Sequence, residues 1–144
     1  LEKEYKKKVL ILLHPMRKKS DQNFYKNFKS KINKTSQEIY NSDIVIGFWS
    51  LALNYGIIYN KKMLLLNSNQ LKIVNNFHFS KYIPRWLKVS KPLNLSNKEY
   101  YTKNEMDKYI IKPDIRYKNF KKNFLVSSRN NNYDFLKVVN EILN

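Results

Sequence analysis

The sequence predicts an α/β domain, a mostly parallel sheet with helices on both faces, and three observations lead there. Apolar runs of strand length at 9–13, 44–48 and 63–66 alternate with segments whose apolar residues recur at helical spacing. The segment Asp43 to Leu66, DIVIGFWSLALNYGIIYNKKMLLL, reads as a strand, an apolar helix that begins after Ser50 and runs to about Tyr59, and a second strand, which is a βαβ unit. A length of 144 residues suits one domain with a real core, because a chain of this size buries roughly two-thirds of its unfolded surface. The domain is therefore expected to span 1–144. Because the chain opens on Leu1, it is expected to be a piece of something longer.

Residues 1–8, LEKEYKKK, are mostly charged and read as the end of a linker or helix. Val9 to Leu13 is continuously apolar, as a strand buried on both faces is, and it ends at His14-Pro15. Proline cannot donate to a sheet ladder and turns the preceding residue away from helix, so His14 is expected at the carboxyl end of a strand, where open α/β sheets hold ligands. The spacing of Phe24 and Phe28 predicts a short amphipathic helix over about 22–30. Thr35 or Ser36 then caps a second short helix, with Glu38 placed three residues after Thr35 as a capping box requires, and that helix ends near Asn41-Ser42.

After Leu66, the apolar positions Leu71, Ile73, Val74, Phe77, Phe79, Tyr82 and Ile83 predict one long helix, broken near Pro84 and ending about Val89. His78, between Phe77 and Phe79, reads as structural. Pro92 to Leu95 is a short edge strand, and 96–112 is a polar loop with one helical turn near 103–109. Helices close the chain over about 114–125 and 132–143, the second with Asp134 near its start to complement the dipole. No internal repeat or heptad array is present.

The formal charge is +17, from 28 basic and 11 acidic residues, a balance that points to nucleic acid or an anionic membrane surface. A compositional explanation competes with it. Only four basic residues are arginine, and 20 asparagines accompany many Ile, Tyr and Phe, all residues that A/T-rich codons specify. The absence of cysteine excludes disulfides and thiolate metal sites, and two histidines far apart do not make a zinc site. The longest apolar segment, about 44–59, is shorter than the roughly 20 residues of a membrane span, so a soluble, reducing compartment is expected.

Three chemically interesting points fall at carboxyl ends of strands: His14, the helix start at Thr35 or Ser36, and Phe48-Trp49-Ser50. Unpaired N–H groups at a helix start beside a Ser hydroxyl suit a phosphate or a sugar-nucleotide diphosphate. Arg17 adds a planar cation for the same anion. Each has a plain structural reading as well: a turn histidine, a helix cap at Ser50 and at Thr35, a packing tryptophan and a solvated arginine. The chain's two glycines, Gly47 and Gly56, both lie in this βαβ segment and are expected to answer a backbone or packing requirement.

The order VLILLHPMRKKS, then KINKTSQEIYNSDIVIGFWSLALNYGIIYNKKMLLL, resembles the carboxyl-terminal half of bacterial GT-B glycosyltransferases that build capsule, lipooligosaccharide and other surface polysaccharides, the sialyltransferase-like group among them. The later segments KPLNLSNKEY and YKNFKKNFLVSS look like the end of such proteins. The resemblance implies a Rossmann-like, metal-independent domain without a cofactor, which binds a nucleotide-sugar donor as substrate. A second, amino-terminal half would bind the saccharide or lipid-linked acceptor and usually supply the base. By position it implies His14 as a catalytic residue, and His14, Pro15, Arg17, Thr35, Trp49, Ser50 and Leu51 around the donor. Phe48-Trp49-Ser50-Leu51 stands where paired Ser/Thr residues are common in the sialyltransferase-like members, so UDP-, GDP- and CDP-linked donors stay open beside CMP. The implied location is cytoplasmic, with peripheral contact at an anionic inner membrane, and no nucleic acid is expected. The competing readings are a basic nucleic-acid module built on the Lys and aromatic residues of 117–124, an anionic-membrane module, and a sister activity such as sugar-nucleotide epimerisation or polyol-phosphate transfer.

Overall fold

The computed structural model describes residues 1–14, 25–48, 50–70, 85, 87–89 and 92–125, with the side chains of 124 and 125 excepted. Helix α1 is Glu2–Tyr5 and strand β1 is Leu10–Leu13. Strand β2 (Lys29–Ile32) lies parallel to β1 in the register Leu10↔Lys29 to Leu13↔Ile32. Here the structure corrects the helix expected over 22–30: residues 25–28 form a turn closed by Phe28 N donating to Tyr25 O at 2.7 Å, and Lys29 onward is strand. Backbone pairing with β1 outweighs the weak helical spacing of two phenylalanines, and Phe28 stays 46% exposed.

Helix α2 is Thr35–Tyr40, as its sequence predicts, but its capping box does not form. Thr35 is already helical, Lys34 is the N-cap without a side-chain bond, and the Glu38 carboxylate pairs with Lys31 of β2 instead. Strand β3 (Ile44–Gly47), helix α3 (Leu53–Ile58) and strand β4 (Lys62–Asn67) make the expected βαβ unit, with β3 and β4 parallel from Ile44↔Lys62 to Gly47↔Leu65.

The other edge of β4 is shared by two short strands. At its carboxyl end β5 (Leu93–Asn94) pairs in parallel, and at its amino end β6 (Ile110–Ile111) pairs antiparallel, Met63↔Ile111 and Leu64↔Ile110. Strand β6 lies in the region expected to be loop. Two residues are too few to leave a period in the sequence. Between β5 and β6, helix α4 (Lys103–Asp107) forms where one helical turn is expected, opened by a full capping box from Thr102 and Glu105. Helix α5 (Ile115–Phe120) starts at an Asp114 cap and runs on into a wider turn over Lys121–Leu125.

Of the long helix expected to end near Val89, Arg85 is helical and Lys88 takes φ 52, which ends the helical path; its earlier part and the last helix expected at 132–143 lie outside the described residues. The molecule is thus a mixed α/β fold built on small parallel and mixed ladders.

Strand β4 organises the core because its alternate side chains enter two clusters. Met63 and Leu65 join Ile39, Val45, Leu53, Ile57, Leu87, Ile111, Tyr117 and Phe120, against which Leu12 of β1 also packs. Leu64 faces the other way, with Leu93 and Met106, and Tyr5, Leu66 and Tyr101 pack beside them. Helices α2, α3 and α5 therefore contribute to one face of the sheet and α4 to the other.

Both glycines serve close packing, and neither has a positive φ. A Cβ on Gly56 would stand 2.9 Å from Met63 Sδ and 3.5 Å from Val45 Cγ2, so its absence lets α3 lie against β3 and β4. A Cβ on Gly47 would meet Leu53 Cδ2 at 3.0 Å, which ties the end of β3 to the first turn of α3.

Candidate functional site

At the carboxyl end of β3 the chain turns through Phe48, Ser50 and Leu51 into α3. Leu51 is 81% exposed, and Ser50 is exposed beside it. The Ser50 hydroxyl accepts from Ala52 N at 3.1 Å, while Leu53 N donates to Ser50 O and Asn54 N to Leu51 O, both at 3.0 Å. The helix proper starts only at Leu53, with Ala52 as its N-cap. Ser50 therefore anchors a tight turn ahead of the helix rather than capping it, a correction with a chemical consequence. The N–H groups of Ala52, Leu53 and Asn54 already have acceptors, so an anion here would rely on the Ser50 hydroxyl and on N–H groups that precede Ala52.

The remaining expected donor residues are spread over three segments. His14 follows β1 directly and is exposed. Thr35 is the half-buried first residue of α2. Helices α2 and α3 are held together through Tyr59, whose ring meets Tyr40 edge-on at 5.2 Å and whose hydroxyl bonds with Ser36 Oγ at 2.7 Å. Pro15, Arg17 and Trp49 lie outside the described residues. In the 117–124 segment, Tyr117 and Phe120 are only 1% and 2% exposed, so both belong to the core and neither offers a ring for base stacking.

Sequence reasoning missed the opposite edge of the sheet. A groove of about 480 Å³ opens there at the amino ends of β3 and β4. Tyr5 of α1 with Lys7 just after it, Asp43 and Ile44 at β3, and Lys62 of β4 form one part of its wall; Lys103, Asp107, Ile110 and Lys112 form the rest. The signal was available, because charged residues stand just before β3 and β4 and just after β6.

Ion pairs shape this edge. Lys7 Nζ is 3.0 Å from Asp43 Oδ2, and this bond, with Lys61 and Lys62 adding their fields, pulls the Asp43 carboxyl below its usual range. Asp107 accepts from the Tyr5 hydroxyl at 2.7 Å and from Lys103 at 3.0 Å, which lowers its pKa in turn. Burial first, and then the Asp107 bond, push the Tyr5 phenol up to about 12. Glu4 accepts from Tyr100 and from Lys103 N, fastening α1 to the start of α4.

Among the described residues no group of His, Asp and Glu stands together as a metal site, and no helix is long and apolar enough to cross a membrane. Compared with known proteins, the chain matches no family model, no curated protein and no solved structure.

Proposed function

We propose that this chain is a Rossmann-like nucleotide-sugar-binding domain, the donor half of a metal-independent glycosyltransferase that builds bacterial surface polysaccharide. The observation that carries this reading is the β3–α3–β4 crossover, whose turn leaves Ser50 and Leu51 exposed at the carboxyl end of a parallel strand, the position at which open α/β sheets take ligands. The order of motifs from Val9 to Leu66 supports it.

In this reading the donor's diphosphate rests on the Ser50 turn, Thr35 and Trp49 border the nucleotide, and His14 with Arg17 stabilises the charge that develops on the leaving nucleotide. His14 does so as a cation or as a hydrogen-bond donor. The acceptor, saccharide or lipid-linked, and the catalytic base belong to a second half, and the reaction takes place on the cytoplasmic side of the membrane.

A ligand-detected NMR screen of CMP, UDP, GDP and CDP, with amide shifts followed at His14, Ser50 and Leu51, tests the assignment. One nucleotide is expected to move these amides, and Ser50→Ala is expected to weaken it at least tenfold. Binding by none of the four, or equal affinity in Ser50→Ala, would remove the assignment.

A further inference from the structure

The amino-edge groove contains a like-charged pair that its two carboxylates offset only in part, because Asp43 and Asp107 are bonded to Lys7 and Lys103. Extending the antiparallel β4–β6 register by one residue sets Lys112 opposite Lys62, on the same face of the ladder. Both line the groove, and among the described residues neither has an ion-pair partner. Directly opposed like charges destabilise a sheet, and the carboxylates that feel their fields, Asp43 for Lys62 and Asp107 for Lys112, are each shared with another lysine, which leaves room for a further anion.

The charge around the groove indicates its size. Lys7, Lys62, Lys103 and Lys112 stand against Asp43 and Asp107, which leaves a surplus of two positive charges, about that of one phosphate group at neutral pH. A volume of about 480 Å³ lies within the roughly 300–1,000 Å³ of small-molecule sites. We propose that this groove is a phosphate-binding site, with the phosphate seated between Lys62 and Lys112 and flanked by Lys7 and Lys103, separate from the Ser50 turn at the other edge of the sheet. The exposed ion pairs Lys7–Asp43 and Lys103–Asp107 bring the flanking ammonium groups to the groove wall.

The test is an amide-shift titration at low ionic strength with two probes: inorganic pyrophosphate for a free ligand, and phosphatidic acid vesicles for a lipid-borne phosphate. It compares the parent chain with Lys62→Gln/Lys112→Gln and with Lys118→Gln/Lys122→Gln, which removes the same charge from exposed positions of the α5 segment. With at least one probe, saturable binding is expected to move the amides of Tyr5, Lys62, Lys103 and Lys112. The groove variant is expected to weaken that binding at least tenfold and the α5 variant less than twofold. Equal weakening in both variants, shifts confined to Ser50 and Leu51, or binding of neither probe overturns the proposal. Circular dichroism of both variants confirms that they stay folded.

Discussion

The two edges of the β3–β4 pair present opposite chemistry from one scaffold. From Ile44 to Asn60 the sequence contains no charged residue, and the carboxyl-edge turn within it exposes Phe48 and Leu51. The amino edge gathers Lys7, Asp43, Lys62, Lys103, Asp107 and Lys112 around a groove. The turn proposed for the nucleotide-sugar donor thus carries none of the charge of +17 itself. A phosphate held at the Ser50 turn would depend on hydroxyl and N–H groups together with the proposed His14 and Arg17, and one held at the amino edge on four ammonium groups. Binding at the amino edge should therefore fall more steeply with salt than binding at the carboxyl edge.

Both edges depend on the close approach of α3 to the sheet, so the largest expected effect falls on both at once. Gly56→Val places branched atoms where even a Cβ meets Met63 Sδ at 2.9 Å, and Met63 is fully buried. Overpacking of this kind typically costs about 2 kcal/mol, and urea unfolding should show that loss at unchanged slope. An equally stable Gly56→Val would mean that α3 can move away from β4 at little cost.

A smaller change should touch the amino edge alone. Tyr117, pushed up in pKa by burial, donates its hydroxyl to Lys61 O at 2.9 Å, just ahead of β4. Tyr117→Phe keeps the ring in the core and leaves that carbonyl short of a donor, a loss of about 1 kcal/mol. Hydrogen exchange should quicken around Lys61 to Met63 while Leu53 and Asn54 keep their protection. Equal quickening at both places would show that the two edges open as one unit.

How much of this was legible in the sequence depended on run length and on partners. Strands β3 and β4, helix α3 and the short β5 follow from apolar runs bounded by turn residues, and their expected positions are right to within about two residues. Strand β2 reads Lys-Ser-Lys-Ile and carries no apolar alternation; its identity comes from the β1 backbone beside it. The sequence contains Thr-x-x-Glu at Thr35 and again at Thr102, and only the second forms a capping box, because Glu38 is drawn to Lys31 across the β2–α2 turn. A local motif states what a segment can do, and the competing partner decides whether it does. The same holds for the candidate site. Ser50 stands at an exposed turn as expected, yet its hydroxyl is already engaged with Ala52 N. The groove, in turn, needs α1, β3, β4, α4 and β6 together and belongs to no single segment.

The Lys62 and Lys112 pair offers a third and weaker contrast, of opposite sign. The two ammonium groups repel across the ladder, so Lys62→Gln/Lys112→Gln should stabilise the free protein by about 0.5 kcal/mol, a gain that a bound anion would reverse by stabilising the parent chain. Thermal melts without phosphate check this, and a lowered midpoint would mean that the lysines make favourable contacts with Asp43 and Asp107 that outweigh their repulsion.

Acid should separate the edges most gently. Glu105 accepts from Thr102 N at 2.9 Å and pairs with Lys98 at 2.5 Å; the Lys98 bond first, then the Thr102 bonds, hold its pKa at about 2, below the ordinary 4.5. A carboxylate depressed in the folded state binds its proton more weakly there than in the unfolded chain. Its stabilisation is therefore complete above pH 4.5 and drains away as the pH falls toward 2. Asp43, Asp107 and Glu4, all lowered and all at the amino edge or the α1–α4 junction, act in the same direction. The carboxyl-edge turn has no carboxylate to titrate between Ile44 and Asn60. Amide shifts of Thr102, Lys103 and Asp107 should therefore move between pH 4.5 and 2 before those of Leu51 and Leu53, and Glu105→Gln should flatten the change at Thr102. Should the amides of both edges move together with one midpoint, acid would be unfolding the whole sheet, and the independence of its two ends would be lost.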